Sequence, residues 1–90
     1  MPRSPRDWPD LAQELGLRLQ RRRTELGLSQ EALAHSVGIT RNYYRLLERG
    51  LGTAKDAPAN PTLRVLLRLS VELDVPLVEL VPDYSRVRWW

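Results

Sequence analysis

The feature that most constrains the fold of the chain is a pair of helix-capping residues, one on either side of a glycine. Ser29 and Thr40 are of the type that caps a helix N-terminus, because each hydroxyl accepts a hydrogen bond from a backbone N–H group of the first turn. Gly38 lies between them and permits the positive φ of a tight turn. The pattern predicts two short helices, over residues 30–36 and 41–49. Two such helices form a candidate helix-turn-helix.

Apolar spacing and helix-starting residues predict three more helices around this pair. A first helix over residues 10–26 carries leucines at helical spacing on one face. A fourth helix begins at Asn60 and Pro61, and a short fifth helix follows over residues 77–81. No segment alternates between apolar and polar residues as a β-strand does. The prediction is therefore an all-α, five-helix fold without a sheet.

The two ends of the chain differ in composition from its middle. Residues 1–9 contain three prolines and alternating charges, which is typical of a flexible N-terminal arm. Residues 10–81 carry the helical patterns and form the predicted helix-turn-helix domain, and residues 82–90 form a C-terminal tail. Ninety residues suffice for one domain and not for two.

Composition argues against several classes of function. The chain has no cysteine, and its single histidine leaves too little material for a zinc site or a Ser–His catalytic pair. It shows no carboxylate pair, nucleophile–base pair or glycine-rich phosphate loop, so we predict no catalytic residues, no metal, no cofactor and no enzymatic activity. No apolar run reaches the roughly 20 residues that span a bilayer, and no apolar stretch follows the N-terminal charges as in a secretory signal. The expected location is the cytoplasm.

The charge of the chain suits a nucleic-acid partner without proving one. The formal net charge is +3, and 13 of the 14 basic residues are arginine, with Lys55 as the exception. Arginine is a good ligand for phosphate and base edges because its guanidinium donates two parallel hydrogen bonds. An arginine-rich composition is also what a GC-rich genome produces, and this alternative stays open. A run in the first helix is likewise either a phosphate clamp or a solvated helix face: Arg18, Arg21, Arg22 and Arg23.

Four short runs together form a specific motif. GLSQEALA over residues 27–34 is followed by VGIT over 37–40, LERG over 47–50 and NPTL over 60–63. These runs resemble the phage repressor and Cro type of helix-turn-helix, the xenobiotic-response-element (XRE) family of bacterial regulators. The resemblance implies a λ-repressor-like fold and a prokaryotic or phage transcription regulator at the nucleoid. It also implies binding to double-stranded DNA as a homodimer on a pseudo-palindromic operator.

The resemblance assigns roles to individual residues. The positions that contact base edges in this family are held here by Arg41, Asn42 and Arg45. Each good bidentate contact discriminates between bases by about 1–3 kcal/mol. The expected phosphate contacts are Gln30, Thr40, Tyr43 and Lys55. Lys55 lies in a loop over residues 51–59 that is longer than the family's usual connection, and this loop either follows the DNA backbone or is mobile. Arg23 and Glu48 match a structural ion pair between the first helix and the recognition helix.

The fifth helix and the tail are too apolar for a free surface, which predicts a dimer contact there. The expected interface residues are Leu77, Val78, Leu80, Val81, Trp89 and Trp90. The two tryptophans either fold back on the domain, pack against Trp8 or cross to a second subunit. The alternative function is a protein-interaction module, such as an antitoxin-type regulator, which binds a protein partner through this same surface.

Overall fold

The computed structural model describes residues 7–85, which form five helices. In chain order they are α1 (Trp8–Glu25), α2 (Gln30–Val37), α3 (Arg41–Glu48), α4 (Leu63–Glu72) and α5 (Leu77–Leu80). The described residues contain no strand beyond an isolated antiparallel bridge between Leu51 and Pro58. The predicted all-α, five-helix fold class is thereby confirmed. None of the described helices has the length and apolar character that crossing a membrane requires.

The helices α2 and α3 begin where the capping residues predict. The hydroxyl oxygens of Ser29 and Thr40 accept hydrogen bonds of 3.0 Å from the backbone N–H groups of Ala32 and Tyr43. Between the two helices, Gly38 adopts a φ of 84° in the left-handed region. This conformation carries a steric penalty for residues with a Cβ atom, so glycine is the residue that turns the chain at lowest cost.

Two other helices begin at residues that differ from the prediction. The helix α1 starts at Trp8 and not at residue 10, and the Asp7 side chain caps it. The early start is stabilised by the Trp8 indole, whose Nε1 atom donates to the Ala59 carbonyl oxygen at 2.9 Å. The helix α4 is capped by Thr62 and not by Asn60. Residues 1–6 of the predicted arm lie outside the described residues.

The core is built from the inner faces of all five helices. Its largest fully buried side chains on the helices and their caps are Leu19, Leu33, Tyr44, Leu47, Leu69, Leu73 and Leu80. The helix α3 packs against both α1 and α2, while α4 packs against α2, and α5 contacts α1 and α4. One face of α3 is therefore fixed by the core, and its opposite face points to solvent.

The helices α1 and α3 approach each other closely at Gly16. A Cβ atom at this residue would lie 2.6 Å from the Leu47 carbonyl oxygen and 2.5 Å from the Glu48 carbonyl oxygen. Both distances are shorter than van der Waals contact, so a larger residue fits only if α3 moves. Gly16 therefore sets the spacing between α1 and α3.

Two arginines of α1 bind the carbonyl ends of other helices. Arg22 donates to the carbonyl oxygens of Leu73 at 2.8 Å and Asp74 at 3.0 Å, just after α4. Arg18 donates to the carbonyl oxygen of Glu79 in α5 at 2.9 Å. These bonds satisfy carbonyl groups that have no partner within their own helix and place positive charge at a helix C-terminus. Arg18 and Arg22 therefore have a structural role. The sequence alone had suggested only a phosphate clamp or a solvated helix face for these residues.

Candidate nucleic-acid interface

The solvent-facing side of α3 carries the residues that are predicted to contact bases. Arg41, Asn42 and Arg45 are exposed, whereas Tyr44 and Leu47 on the opposite side are fully buried. The division follows the helical period, which places residues three or four positions apart on one face. The apolar side holds α3 in place, and the polar side chains face solvent.

Two of the exposed side chains on α3 are hydrogen-bonded to each other. The Arg45 Nη2 atom donates to the Asn42 Oδ1 atom at 3.0 Å. The bond leaves the Asn42 amide hydrogens and most of the guanidinium donors of Arg45 unused. A bidentate contact between asparagine and adenine needs the side-chain oxygen as well as the nitrogen. If Asn42 reads an adenine, its oxygen must therefore be shared with or released by Arg45.

Behind this face, a buried ion pair joins α1 to α3. The Arg23 Nε atom lies 2.6 Å from Glu48 Oε2, and its Nη2 atom lies 3.2 Å from Oε1. This is the pair that the family resemblance implies. The Glu48 side chain is only 4% exposed. Arg23 also donates to the Leu28 carbonyl oxygen at 2.8 Å, so the same guanidinium fixes the turn before α2.

Gln30, a predicted phosphate contact, is bonded to this ion pair. Its Nε2 atom donates to Glu48 Oε1 at 2.8 Å. Burial raises the pKa of the Glu48 carboxyl, but the neighbouring Arg23, and after it the Tyr44 hydroxyl and Gln30, outweigh it and bring that pKa below its usual value. Glu48 is therefore ionised at neutral pH, and α1, α2 and α3 meet at its carboxylate. The sequence resemblance gave the ion pair but not the bond from Gln30.

The Tyr44 hydroxyl lies beside the ion pair in the core. It is buried and has no hydrogen-bond partner among residues 7–85, although it is close enough to Glu48 and Arg23 for their charges to act on it. Burial, and after it the neighbouring carboxylate, raises the pKa of Tyr44. The residue is therefore a neutral phenol. Leaving such a group unpaired in the core costs about 1–3 kcal/mol.

Two further predicted phosphate contacts lie near the start of α3. The Thr40 hydroxyl oxygen accepts the capping bond, which leaves its O–H hydrogen to be donated elsewhere. Tyr43 is half-buried and faces the loop over residues 51–59 across an open cleft of about 210 Å³. Burial raises the pKa of the Tyr43 phenol, so its O–H group also remains a donor at neutral pH.

The loop over residues 51–59 is held by its own backbone. Gly52 N–H donates to the Ala57 carbonyl oxygen at 2.8 Å, and Ala59 N–H donates to the carbonyl oxygen of Gly50 at 2.9 Å. Lys55, the fourth predicted phosphate contact, is exposed in this loop. The hydrogen bonds favour an ordered loop over a mobile one, and the role of Lys55 stays a prediction.

The residues of the predicted dimer surface differ in their exposure to solvent. Val78 is 80% exposed, and Leu77 and Val81 are half-buried. Leu80 is 1% exposed and belongs to the core, so, contrary to the prediction, its side chain is not available to a second subunit. Two members of the predicted surface lie outside the described residues, namely Trp89 and Trp90.

An exposed apolar surface on α4 was missed by the sequence analysis. This surface, called the α4 stripe below, consists of Leu63, Leu67 and Val71, which are 64%, 47% and 76% exposed. Its residues are four positions apart and so share one helix face. A signal for it was present, because the ten residues of α4 include six leucines and valines, more than one helix face buries.

The described part of the chain gathers no set of metal ligands. Residues 7–85 contain no group of three or more histidine or carboxylate side chains that could hold a metal ion. His35 is exposed on the last turn of α2, with Glu31 one turn before it. Two side chains do not make a metal site.

Comparison with known proteins identifies the family. A profile of the helix-turn-helix family matches residues 17–80. The restriction-modification controller protein C.AhdI from Aeromonas hydrophila is 39% identical, with a TM-score of 0.66, over 79% of this chain and 96% of that chain. The N-terminal DNA-binding domain of SinR from Bacillus subtilis is 31% identical, with a TM-score of 0.64, over 79% and 94%. The hypothetical transcription factor NHTF from Neisseria is 26% identical, with a TM-score of 0.68, over 92% and 87%. No curated protein matches the chain significantly.

The family match covers the elements that build the candidate site. It includes both helices of the helix-turn-helix, both members of the Arg23–Glu48 pair and all of α4. It extends over more than two thirds of the chain, and C.AhdI is matched over nearly its whole length. The chain therefore belongs to the XRE-type helix-turn-helix family of DNA-binding transcription regulators.

Proposed function

We propose that this chain is a sequence-specific regulator of prokaryotic or phage transcription, which inserts α3 into the major groove of double-stranded DNA. The observation that carries the proposal is the division of α3 into a polar exposed face and an apolar face fixed in the core. Arg41 or Arg45 donates to O6 and N7 of guanine, and Asn42 pairs with N6 and N7 of adenine. A structure of SinR in complex with DNA supports this, since it is 33% identical with a TM-score of 0.62.

The proposed phosphate contacts surround α3. Gln30 lies in the first turn of α2 and Thr40 caps α3, so both are near free backbone N–H groups and a positive helix end that favours anions. Tyr43 donates through its hydroxyl, and Lys55 contributes a positive charge from the loop. Contacts of this kind supply affinity and orientation, whereas the base contacts of α3 supply specificity.

The exposed apolar side chains support a homodimer on a pseudo-palindromic operator. The α4 stripe and Val78 would be removed from water by a second copy of the chain. A two-fold symmetric dimer uses the same patch on both subunits. It would place its two α3 helices about 34 Å apart, in successive major grooves. Such a regulator acts at the nucleoid, in the cytoplasm.

The α4 stripe also suits a different protein as partner, which keeps a second function open. In this alternative the chain is an antitoxin-type regulator that binds the partner through α5 and the C-terminal tail, and the stripe would extend that surface. The complex of the SinR and SinI proteins offers a precedent, since the matched chain is 31% identical over 79% of this chain and 63% of that chain. The two functions differ in whether the stripe contacts a second copy or another protein.

Selection of bound fragments from genomic DNA tests the proposal. The purified chain is incubated with fragmented DNA at a stated salt concentration, because affinity for DNA depends steeply on salt. We expect enrichment of a short inverted repeat whose half-sites lie about one helical turn apart, with two copies of the chain bound. A chain that enriches no sequence and binds no duplex at low salt would leave partner binding as the function.

A further inference from the structure

We propose that Glu48 is a positioning residue for DNA binding, which turns the Gln30 carboxamide so that it presents an N–H donor to a backbone phosphate. The inference rests on the proposed DNA-binding function. It assigns to a buried carboxylate an effect on a ligand that the carboxylate itself does not touch.

The charge of Glu48 decides which end of the Gln30 carboxamide faces inward. A carboxamide has an accepting oxygen and a donating nitrogen, whereas an ionised carboxylate only accepts. Only the nitrogen of Gln30 can therefore bind Glu48 Oε1, from which it lies 2.8 Å away. That nitrogen carries two hydrogens, and the bond uses one of them. The second hydrogen is left for another acceptor, and a phosphate oxygen is a suitable one.

The position of Gln30 places this second hydrogen near the proposed phosphate site. Gln30 is the first residue of α2 and is only half-buried, so part of its side chain reaches solvent. The first N–H groups of a helix have no acceptor within that helix. In α2 the Ser29 hydroxyl accepts from the Ala32 N–H group, and the N–H groups of Gln30 and Glu31 are left for an anion. An anion at this turn would therefore meet backbone and side-chain donors together.

Glu48 is itself held firmly enough to orient another side chain. Arg23 binds both of its carboxylate oxygens, at 2.6 and 3.2 Å. The guanidinium also neutralises the carboxylate, so the negative charge of Glu48 does not repel an approaching phosphate. A chain of hydrogen bonds thus runs from α1 through α3 to the first turn of α2. Without it, the carboxamide of Gln30 is free to turn its oxygen toward the phosphate.

A double-mutant cycle tests whether Glu48 acts through Gln30. The probe is a labelled random-sequence duplex at low salt, since phosphate contacts do not depend on sequence. We expect Gln30→Ala to weaken binding about tenfold, the size of one hydrogen bond to a charged group. In a Glu48→Gln background, the same substitution should cost less than roughly twofold, because the donor is no longer fixed. If Gln30→Ala weakens binding by the same factor in both backgrounds, the proposal is wrong.

Because Glu48→Gln also removes a buried ion pair, a second measurement uses the unaltered protein. Nuclear magnetic resonance distinguishes the two side-chain amide hydrogens of Gln30. We expect the hydrogen bound to Glu48 to exchange slowly with water, and the other one to shift when the duplex is added. Equal exchange of both hydrogens, or no shift in a protein that binds the duplex, contradicts the positioning role. Failure to bind any duplex would instead overturn the proposed function itself.

Discussion

Two exposed helix faces of the molecule differ in their chemistry. The face of α3 presents Arg41, Asn42 and Arg45, whose polar groups are solvated by water in the free chain. The α4 stripe is apolar, and covering it is favourable by about 25 cal/mol for each Å² removed from water. The comparison teaches that two helices of one core can expose surfaces of different chemistry, a polar one that we propose for DNA and an apolar one that we propose for protein association.

The largest effect is expected from charging the α4 stripe. Leu67→Asp combined with Val71→Asp should abolish the proposed dimer, because four side chains in the two copies would lose about 1.5 kcal/mol of burial each, about 6 kcal/mol in total. Sedimentation equilibrium measures the change in association. Binding to a duplex with a single half-site should stay within about twofold of the unaltered protein, since α3 is untouched.

The matched control for this prediction is Leu17→Asp. Leu17 is also an exposed leucine, at 56%, but it lies on α1 and not on α4. We expect this variant to associate like the unaltered protein. If it disrupts association as strongly as the stripe variant does, the stripe has no special role.

The next effect concerns the polar face of α3. Arg41→Ala and Asn42→Ala should each weaken binding to the selected operator by about 1–3 kcal/mol, because each removes a base contact. Binding to random DNA should change far less, as fluorescence anisotropy with both duplexes will show. Arg21→Ala removes an exposed arginine from α1 and serves as the control. Equal losses on both duplexes would mean that Arg41 and Asn42 contact phosphates only.

The pH dependence of stability tests the contribution of the Glu48 carboxylate on the inner side of α3. Because the pKa of Glu48 is lower in the folded chain than its usual value, its contribution to stability is fully present above the unfolded pKa of about 4.3. The contribution is lost as the pH falls through the folded pKa, at about 1.4 kcal/mol for each unit of lowering. Chemical denaturation between neutral and acid pH measures it. Glu48→Gln should flatten the dependence, and an unchanged profile would exclude this carboxyl as its source.

The smallest effect is expected at Tyr44. Tyr44→Phe removes a buried hydroxyl that has no hydrogen-bond partner among the described residues, so stability should be unchanged or higher by about 1 kcal/mol. Thermal denaturation followed by circular dichroism gives the difference. A clear loss of stability would show that the phenol supports the Arg23–Glu48 pair.

The helix-turn-helix was predictable because its signals are local. The caps at Ser29 and Thr40 and the turn at Gly38 each act within a few residues, and the structure has them as predicted. The Arg23–Glu48 pair was found only through the family resemblance, since its members are 25 residues apart.

The features that the sequence did not predict depend on contacts between distant segments. The bond from Trp8 to the Ala59 carbonyl extends α1, and nothing near Trp8 in the sequence announces it. Leu80 lies in a helix of four residues, which is too short for periodicity to show which face is buried. Six leucines and valines in α4 do not by themselves show which of them the rest of the fold covers, so the α4 stripe was not predicted.

The absence of a side chain at Gly16 has a consequence for how far α3 would reach into the groove in the proposed complex with DNA. With no methyl group between the backbones of α1 and α3, the two helices are in direct contact, and the arginines of α3 extend from a helix whose position is fixed. A methyl group at residue 16 would push α3 away from α1, and the exposed side chains of α3 would then meet the floor of the proposed groove at an altered depth. In the proposed complex, a residue of α1 would thus affect how the exposed residues of α3 fit the groove.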